Sequence, residues 1–173
     1  GFSVLPITSV GLDYEVSHER IASGIPRLDK MLDGRGFFRA STILVSGPAG
    51  TGKTTLTAQF VNEACQRGER CLFFSFEESA GQIIRNMRSV GIDLQAWVDA
   101  DLLRIQSARP TMYSLEMHLV TLHKHIQAFD PQIVVMDPVT NFDIIGSTAD
   151  SRALLTRLVD LLKMRGVTGF LTS

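Results

Sequence analysis

The stretch TILVSGPAGTGKT (Thr42–Thr54) joins a short apolar run to a glycine-rich turn, and a helix-forming segment follows it. From Gly47 to Thr54 it fits the spacing G-x-x-x-x-G-K-[ST], with strand and helix flanks in the right places. Gly47, Gly50 and Gly52 let the backbone turn its N–H groups inward, and the following helix adds the positive end of its dipole. That is an anion site built largely from main chain. Lys53 would set a mobile positive charge on the β- and γ-phosphates, and the Thr54 hydroxyl would complete the shell of a Mg²⁺, which prefers oxygen ligands. The alternative, a tight turn and nothing more, needs this spacing to have arisen by chance beside the correct flanks. The expectation is therefore a nucleoside triphosphate, taken to be ATP, with Mg²⁺.

Outward from this loop, short apolar runs alternate with amphipathic stretches, as in strands joined by crossover helices in a parallel sheet. The runs are 42–46, 71–76, 102–105, 133–136 and 167–172, and they lack in-out alternation, as strands buried on both faces do. Leu115, Leu119, Leu122, Ile126 and Phe129 form one apolar stripe, predicting a helix over about 112–128. A second helix should start near Ser79, which has capping-box spacing to Gln82, and end at Gly91. A last one, with Leu154, Leu155, Leu158, Leu161 and Leu162, is predicted over 151–165. The first forty residues differ: an apolar extended piece, FSVLPITSVGL, a polar segment, and then the helix-like SGIPRLDKMLDG. Residues 1–20 are expected to be a lead-in, with an edge strand and linker, and 21–173 the core domain. Because Ser173 directly follows an apparent central strand, a fragment of a longer polypeptide is expected, with the C-terminal part of the fold beyond it.

A phosphate site of this type needs an acidic group at the end of a second strand, and IVVMD (133–137) supplies four apolar residues and then Asp137. Asp137 is expected to hold Mg²⁺ through a bound water, although an Asp before Pro138 could simply start a turn. FFSFEES (73–79) ends another strand with two carboxylates, Glu77 and Glu78. Ligands of parallel sheets lie at the carboxyl ends of the strands. One of these acids can therefore orient or deprotonate the water attacking the γ-phosphorus, while the other tunes its pKa or reaches toward the metal. Acids at a helix start also favour the dipole there, which applies to Glu78 more than to Glu77.

Composition narrows the class. The 173 residues, 45% apolar and 20% charged, suit one ordinary domain with a substantial core. Net charge is −1, with no block of like charge, so neither nucleic acid nor membrane is an expected partner. Cys65 and Cys71 are too few for a disulfide framework and lack metal-ligand spacing, and no run of about 18 apolar residues occurs, so the reducing cytoplasm is the expected compartment. His118, His123 and His125 have no i,i+4 pair, and they are expected to be solvated helix histidines rather than metal ligands. Trp97 reads as a half-buried aromatic, and Arg85 and Arg88 as an exposed helix face.

Taken together, GIPRLDKML (24–32), STILVSGPAGTGKTT (41–55), GERCLFFSFEES (68–79), RNMRSVGID (85–93) and IVVMDPVT (133–140) resemble the KaiC branch of the RecA-like P-loop ATPases. The resemblance covers nearly the whole chain. It implies an α/β fold with a mostly parallel central sheet and helices on both faces, and ATP hydrolysis in hexameric rings with nucleotide between neighbouring subunits. For some members it also implies Ser/Thr autophosphorylation linked to circadian timing or signalling through partner proteins. It implies that Gly50 to Thr55, hence Thr51 and Thr55 as well, contact phosphate, that Thr54 and Glu77 stand on the metal side, and that Glu77 with Glu78 is the catalytic pair. Ser89, and with it Val90, would touch the base. The opening FSVLPITSVGL resembles the tail of a preceding family domain, making this the second of two tandem units. Pro138 departs from the pattern, since many members carry a small hydroxyl residue there. In the family, the neighbour's basic residues and the phosphoacceptor pair lie beyond position 173.

Two rivals stand beside this reading, the first on the same fold and the second of another class. A recombinase-like, DNA-stimulated ATPase would bind DNA through loops after the strand ends, but PVTNFDIIGSTAD (138–150) has two acids and no Lys or Arg. A nucleotide-gated scaffold with little turnover would have less use for paired glutamates.

Overall fold

The computed structural model describes residues 16–173. The expected extended piece at 2–12 lies outside them. Arg20–Ile21 (β1) pairs antiparallel with Phe37–Phe38 (β2), with helix Pro26–Met31 (α1) between them. This two-residue pairing is separate from the main sheet.

That sheet has five parallel strands, Thr42–Val45 (β3), Cys71–Ser75 (β4), Leu103–Ser107 (β5), Ile133–Asp137 (β6) and Thr168–Thr172 (β7), in the order β3-β7-β6-β4-β5. Helices Lys53–Gln66 (α2), Ala80–Ser89 (α3), Leu94–Asp99 (α4), Leu115–Phe129 (α5) and Thr148–Met164 (α6) cover its two faces. Cys71 and Phe73 point into one core with Phe60, Ile83 and Leu94, whereas Leu72 and Phe74 point into the other with Leu122, Ile126 and Leu158. Alternation is present in β4 and β6, but both destinations are apolar, so the sequence shows a continuous hydrophobic run. This is the α/β architecture of a RecA-like P-loop domain, as expected.

Among the described residues β3 pairs only with β7, and there Leu44 is 60% exposed. β5 runs two residues past its expected end.

The helix starts follow their caps. Ser79 and Gln82 form the expected capping box at α3, and Val90 and Gly91 close that helix, Gly91 at φ 85°. α6 begins at Thr148, three residues before its expected start, because Ser147 and Asp150 make a second capping box with Asp in the Glu/Gln position. The Ser147 hydroxyl and amide hold the Asp150 carboxyl below its ordinary value. α4 was not anticipated: six residues with one fully buried side chain, Leu94, leave no stripe to detect. His118 is a correction. It is 3% exposed, its Nε2 lies 2.8 Å from the Pro110 carbonyl oxygen, and its ring packs edge-on to Phe76, Tyr113 and Phe142, so the α5 stripe includes it. His123 and His125 are partly exposed, and burial lowers the pKa of each. Trp97 is half-buried, its indole N–H donating to Asn62 Oδ1 at 2.8 Å. No described helix is long and apolar enough to cross a membrane.

Candidate functional site

Parallel pairing brings the carboxyl ends of four strands to one rim. Ser75 is level with Asp137, and Val45 with Thr172, so whatever follows or ends β3, β4, β6 and β7 converges there. The glycine turn follows β3. Gly50 and Gly52 sit at φ 80° and 85°, left-handed conformations that side chains resist, and Gly52 is the N-cap of α2 without any side-chain cap. The first amides of α2 are therefore not satisfied by a capping side chain, which is the arrangement an anion needs. Gly47 opens the turn, its N–H donating to the Ser173 carbonyl at 3.1 Å. Thr51 turns its hydroxyl inward to the Pro48 carbonyl, 2.8 Å, bracing the loop and leaving only its main chain for a ligand. Lys53 folds its ammonium onto the carbonyls of Gly47 and Pro48, 2.5 and 3.0 Å away, at the mouth of the loop. Thr55 is half-buried in the first turn of α2.

Thr54 donates its hydroxyl to Asp137 Oδ2 at 2.7 Å, joining the phosphate loop to the end of β6. Asp137 is 7% exposed and receives a second hydrogen bond on Oδ1 from the Thr172 hydroxyl. Asp137 is the last residue of β6, with hydroxyls on both carboxylate oxygens, and the 3₁₀ turn Val139–Ile144 follows Pro138. A small cleft is lined by Thr54, Ser75, Glu77, Glu78, Asp137 and Pro138. The two acidic positions therefore share a rim and a cleft with the loop.

The two glutamates differ in setting. Glu77 is exposed, and its carboxylate has no hydrogen-bond partner among the described residues. Glu78 is half-buried. Its amide donates to Ser75 Oγ at 3.1 Å, and its Oε2 accepts from Asn86 Nδ2 at 3.0 Å. The peptide just before Glu77 is clamped: Phe76 N–H donates to the Asp137 carbonyl at 2.9 Å, and its own carbonyl accepts from Asn141 Nδ2 at 3.3 Å. The Phe76 ring lies 4.7 Å from Phe142, in the short 3₁₀ turn Val139–Ile144.

Ser89 is not in this cleft. It lies at the far end of α3, about 14 Å along the axis from Ala80 at 1.5 Å per residue, and its hydroxyl donates to the Asn86 carbonyl at 2.6 Å. It lines an open groove with Gly81, Ile84, Arg85, Arg88 and Gln95, and the neighbouring Val90 is 57% exposed. Thr172, Asn86, Asn141 and Ser75 escaped the sequence reading. Only Thr172 left a usable signal, a hydroxyl ending an apolar run as Asp137 does.

The donor set suits Mg²⁺. Thr54 and Asp137 bring a hydroxyl and a carboxylate together, the hard oxygens that this ion prefers. Mg²⁺ binds through few protein ligands and keeps much of its water.

Comparison with protein families matches residues 21–173 to the family described as "ATPase: KaiC". Among individual proteins, the chain is 49% identical over 172 residues to the circadian clock protein KaiC2 of Synechocystis sp., covering 99% of this chain and 30% of that protein. It is 36% identical to KaiC3 of the same organism, over 100% of the chain and 34% of the relative. It is 37% identical to the circadian clock oscillator protein KaiC of Parathermosynechococcus lividus, over 100% and 32% respectively. The chain thus spans about a third of the length of the curated relatives it matches.

Proposed function

This chain belongs to the KaiC ATPase family, and from that premise we propose that it binds Mg·ATP at the rim described above and hydrolyses it by in-line attack of water. The observation that carries the proposal is the Thr54–Asp137 hydrogen bond, which ties the phosphate loop to an acidic strand end beside Glu77 and Glu78. The main chain from Gly47 to Thr55 cradles the phosphates, and Lys53 exchanges its two loop carbonyls for β- and γ-phosphate oxygens. Thr54 and Asp137, with Glu77 on the same side, are the groups that would hold Mg²⁺, which neutralises phosphate charge when bound. Glu77, whose carboxylate has no hydrogen-bond partner among the described residues, accepts the proton of the attacking water as the water oxygen bonds to the γ-phosphorus and the bond to the bridging oxygen breaks, with ADP leaving. Glu78 is the fixed helper. The Ser89 groove takes the nucleoside end.

Residues 21–173 serve as the ATPase core, and 1–20 as the lead-in from a preceding domain of a longer, cytoplasmic protein. That protein would assemble as a hexameric ring with ATP between subunits. Turnover by a lone subunit should be slow, since a cation supplied by a neighbour is worth about 10³–10⁵ in related sites. A clock or signalling role belongs to the whole protein, in line with the circadian clock names its relatives carry, and any Ser/Thr autokinase activity belongs to the whole protein as well.

The test replaces Glu77 and Glu78 together by Gln in the full-length protein. Turnover should vanish while calorimetry still registers ATP binding. Undiminished hydrolysis would remove both acids from the mechanism.

A further inference from the structure

Glu78 has a partner that the phosphate site does not supply. Its residue precedes the N-cap of α3, and its side chain lies back along the helix, where Asn86 Nδ2 donates to Oε2 at 3.0 Å. The other end of that amide is occupied as well: Asn86 Oδ1 accepts from Arg85 Nε and Nη2 at 3.3 and 3.1 Å. A guanidinium can only donate and a carboxylate can only accept, so both neighbours force the same orientation of the amide. Asn is also a poor helix former, so a helix-interior Asn gains from such a contact what it loses in propensity.

We propose that Asn86 is a positioning residue for Glu78, and that Arg85 sets the orientation of its amide. The inference rests on Glu78 taking part in ATP hydrolysis as proposed above. Asn86 holds the carboxylate at Oε2 and Ser75 Oγ holds the Glu78 amide, so side chain and main chain are each anchored in a residue that lines the cleft. Glu77 has no comparable support. The pair therefore divides into one acid without a side-chain hydrogen bond among the described residues and one held by Asn86. Arg85 also lines the groove that holds Ser89, so the element that orients Glu78 borders the place assigned to the nucleoside.

The experiment uses full-length protein and compares Asn86→Asp, Asn86→Ala, Arg85→Ala and the Arg85→Ala/Asn86→Ala pair, with Glu77→Gln/Glu78→Gln as reference. The readouts are kcat, KM for Mg·ATP, and ATP affinity by calorimetry. Asn86→Asp replaces the donor with a like charge facing Glu78. It should lower kcat about 10–100-fold, the range typical of lost outer-shell partners, with KM and affinity within about twofold. Arg85→Ala should lower kcat about 2–5-fold alone and add nothing in the Asn86→Ala background, because it acts through that amide. If Asn86→Asp fails to fold or bind ATP, Asn86→Ala decides, with the same split expected. Unchanged kcat at position 86, or losses from Arg85 and Asn86 that simply multiply, overturns the positioning role while the reference variant stays inactive. A reference variant that turns over like the parent overturns the function itself, and this inference with it.

Discussion

Replacing Thr172 by Val tests whether the strand beside β6 holds the metal-side carboxylate. Thr172 is 0% exposed, and its hydroxyl donates to Asp137 Oδ1, while Thr54 occupies Oδ2 at 2.7 Å. Val keeps the shape and the β-branch, so β7 should retain its pairing. What is lost is one hydrogen bond to a buried charged acceptor, about 1.5–3 kcal/mol, against which the extra buried methyl returns about 0.8 kcal/mol. The net loss of domain stability is about 1–2 kcal/mol. Function should suffer more. An Asp137 held on one oxygen can rotate about χ2, and loss of such an outer partner typically costs about 10–100-fold in metal affinity or activity. The assay is a Mg²⁺ titration of ATP turnover in the full-length protein, with urea unfolding of this domain alongside. Thr172→Ser, which keeps the hydroxyl, should restore the Mg²⁺ half-saturation point. If Thr172→Val matches the parent in both Mg²⁺ dependence and unfolding, the hydroxyl does not orient Asp137.

Phe142→Ala should cost about 3–5 kcal/mol in denaturant unfolding, because its ring is fully buried against Phe76 and His118; it should also slow turnover, since Phe76 directly precedes Glu77. A loss below about 1 kcal/mol would mean the Phe76 clamp is not made by this ring. The thiols of Cys65 and Cys71 should resist a maleimide at alkaline pH in the folded protein and react on unfolding, since both are buried and the neighbouring Cys65 thiol, with burial, raises the Cys71 thiol pKa. The sign follows from that shift: the protonated thiol is favoured by folding, so the associated stability is intact below the unfolded thiol value of about 8.5 and is lost as pH rises toward the folded value. Rapid native-state labelling would contradict it.

The sequence by itself determined the features that depend on near neighbours in the chain. The glycine turn with Lys53 and Thr54, the apolar runs that become β4 and β6, and the Ser79–Gln82 cap are each specified within a few residues, because φ/ψ preferences, capping bonds and burial periodicity act over that range. Even there, the start of α6 was missed when Asp150 took the capping-box place of Glu or Gln, and α4 was too short to show a stripe. Only the tertiary structure decided which strands are neighbours. The order β3-β7-β6-β4-β5 sets Thr172 against Asp137 across 35 positions of sequence. It also buries His118 against Phe76 and Phe142. Those contacts form where crossover helices return the chain to the sheet. Loop closure over such distances leaves no periodic mark in the residues themselves, so the partners that hold Asp137 and aim Glu78 become visible only once the elements are packed.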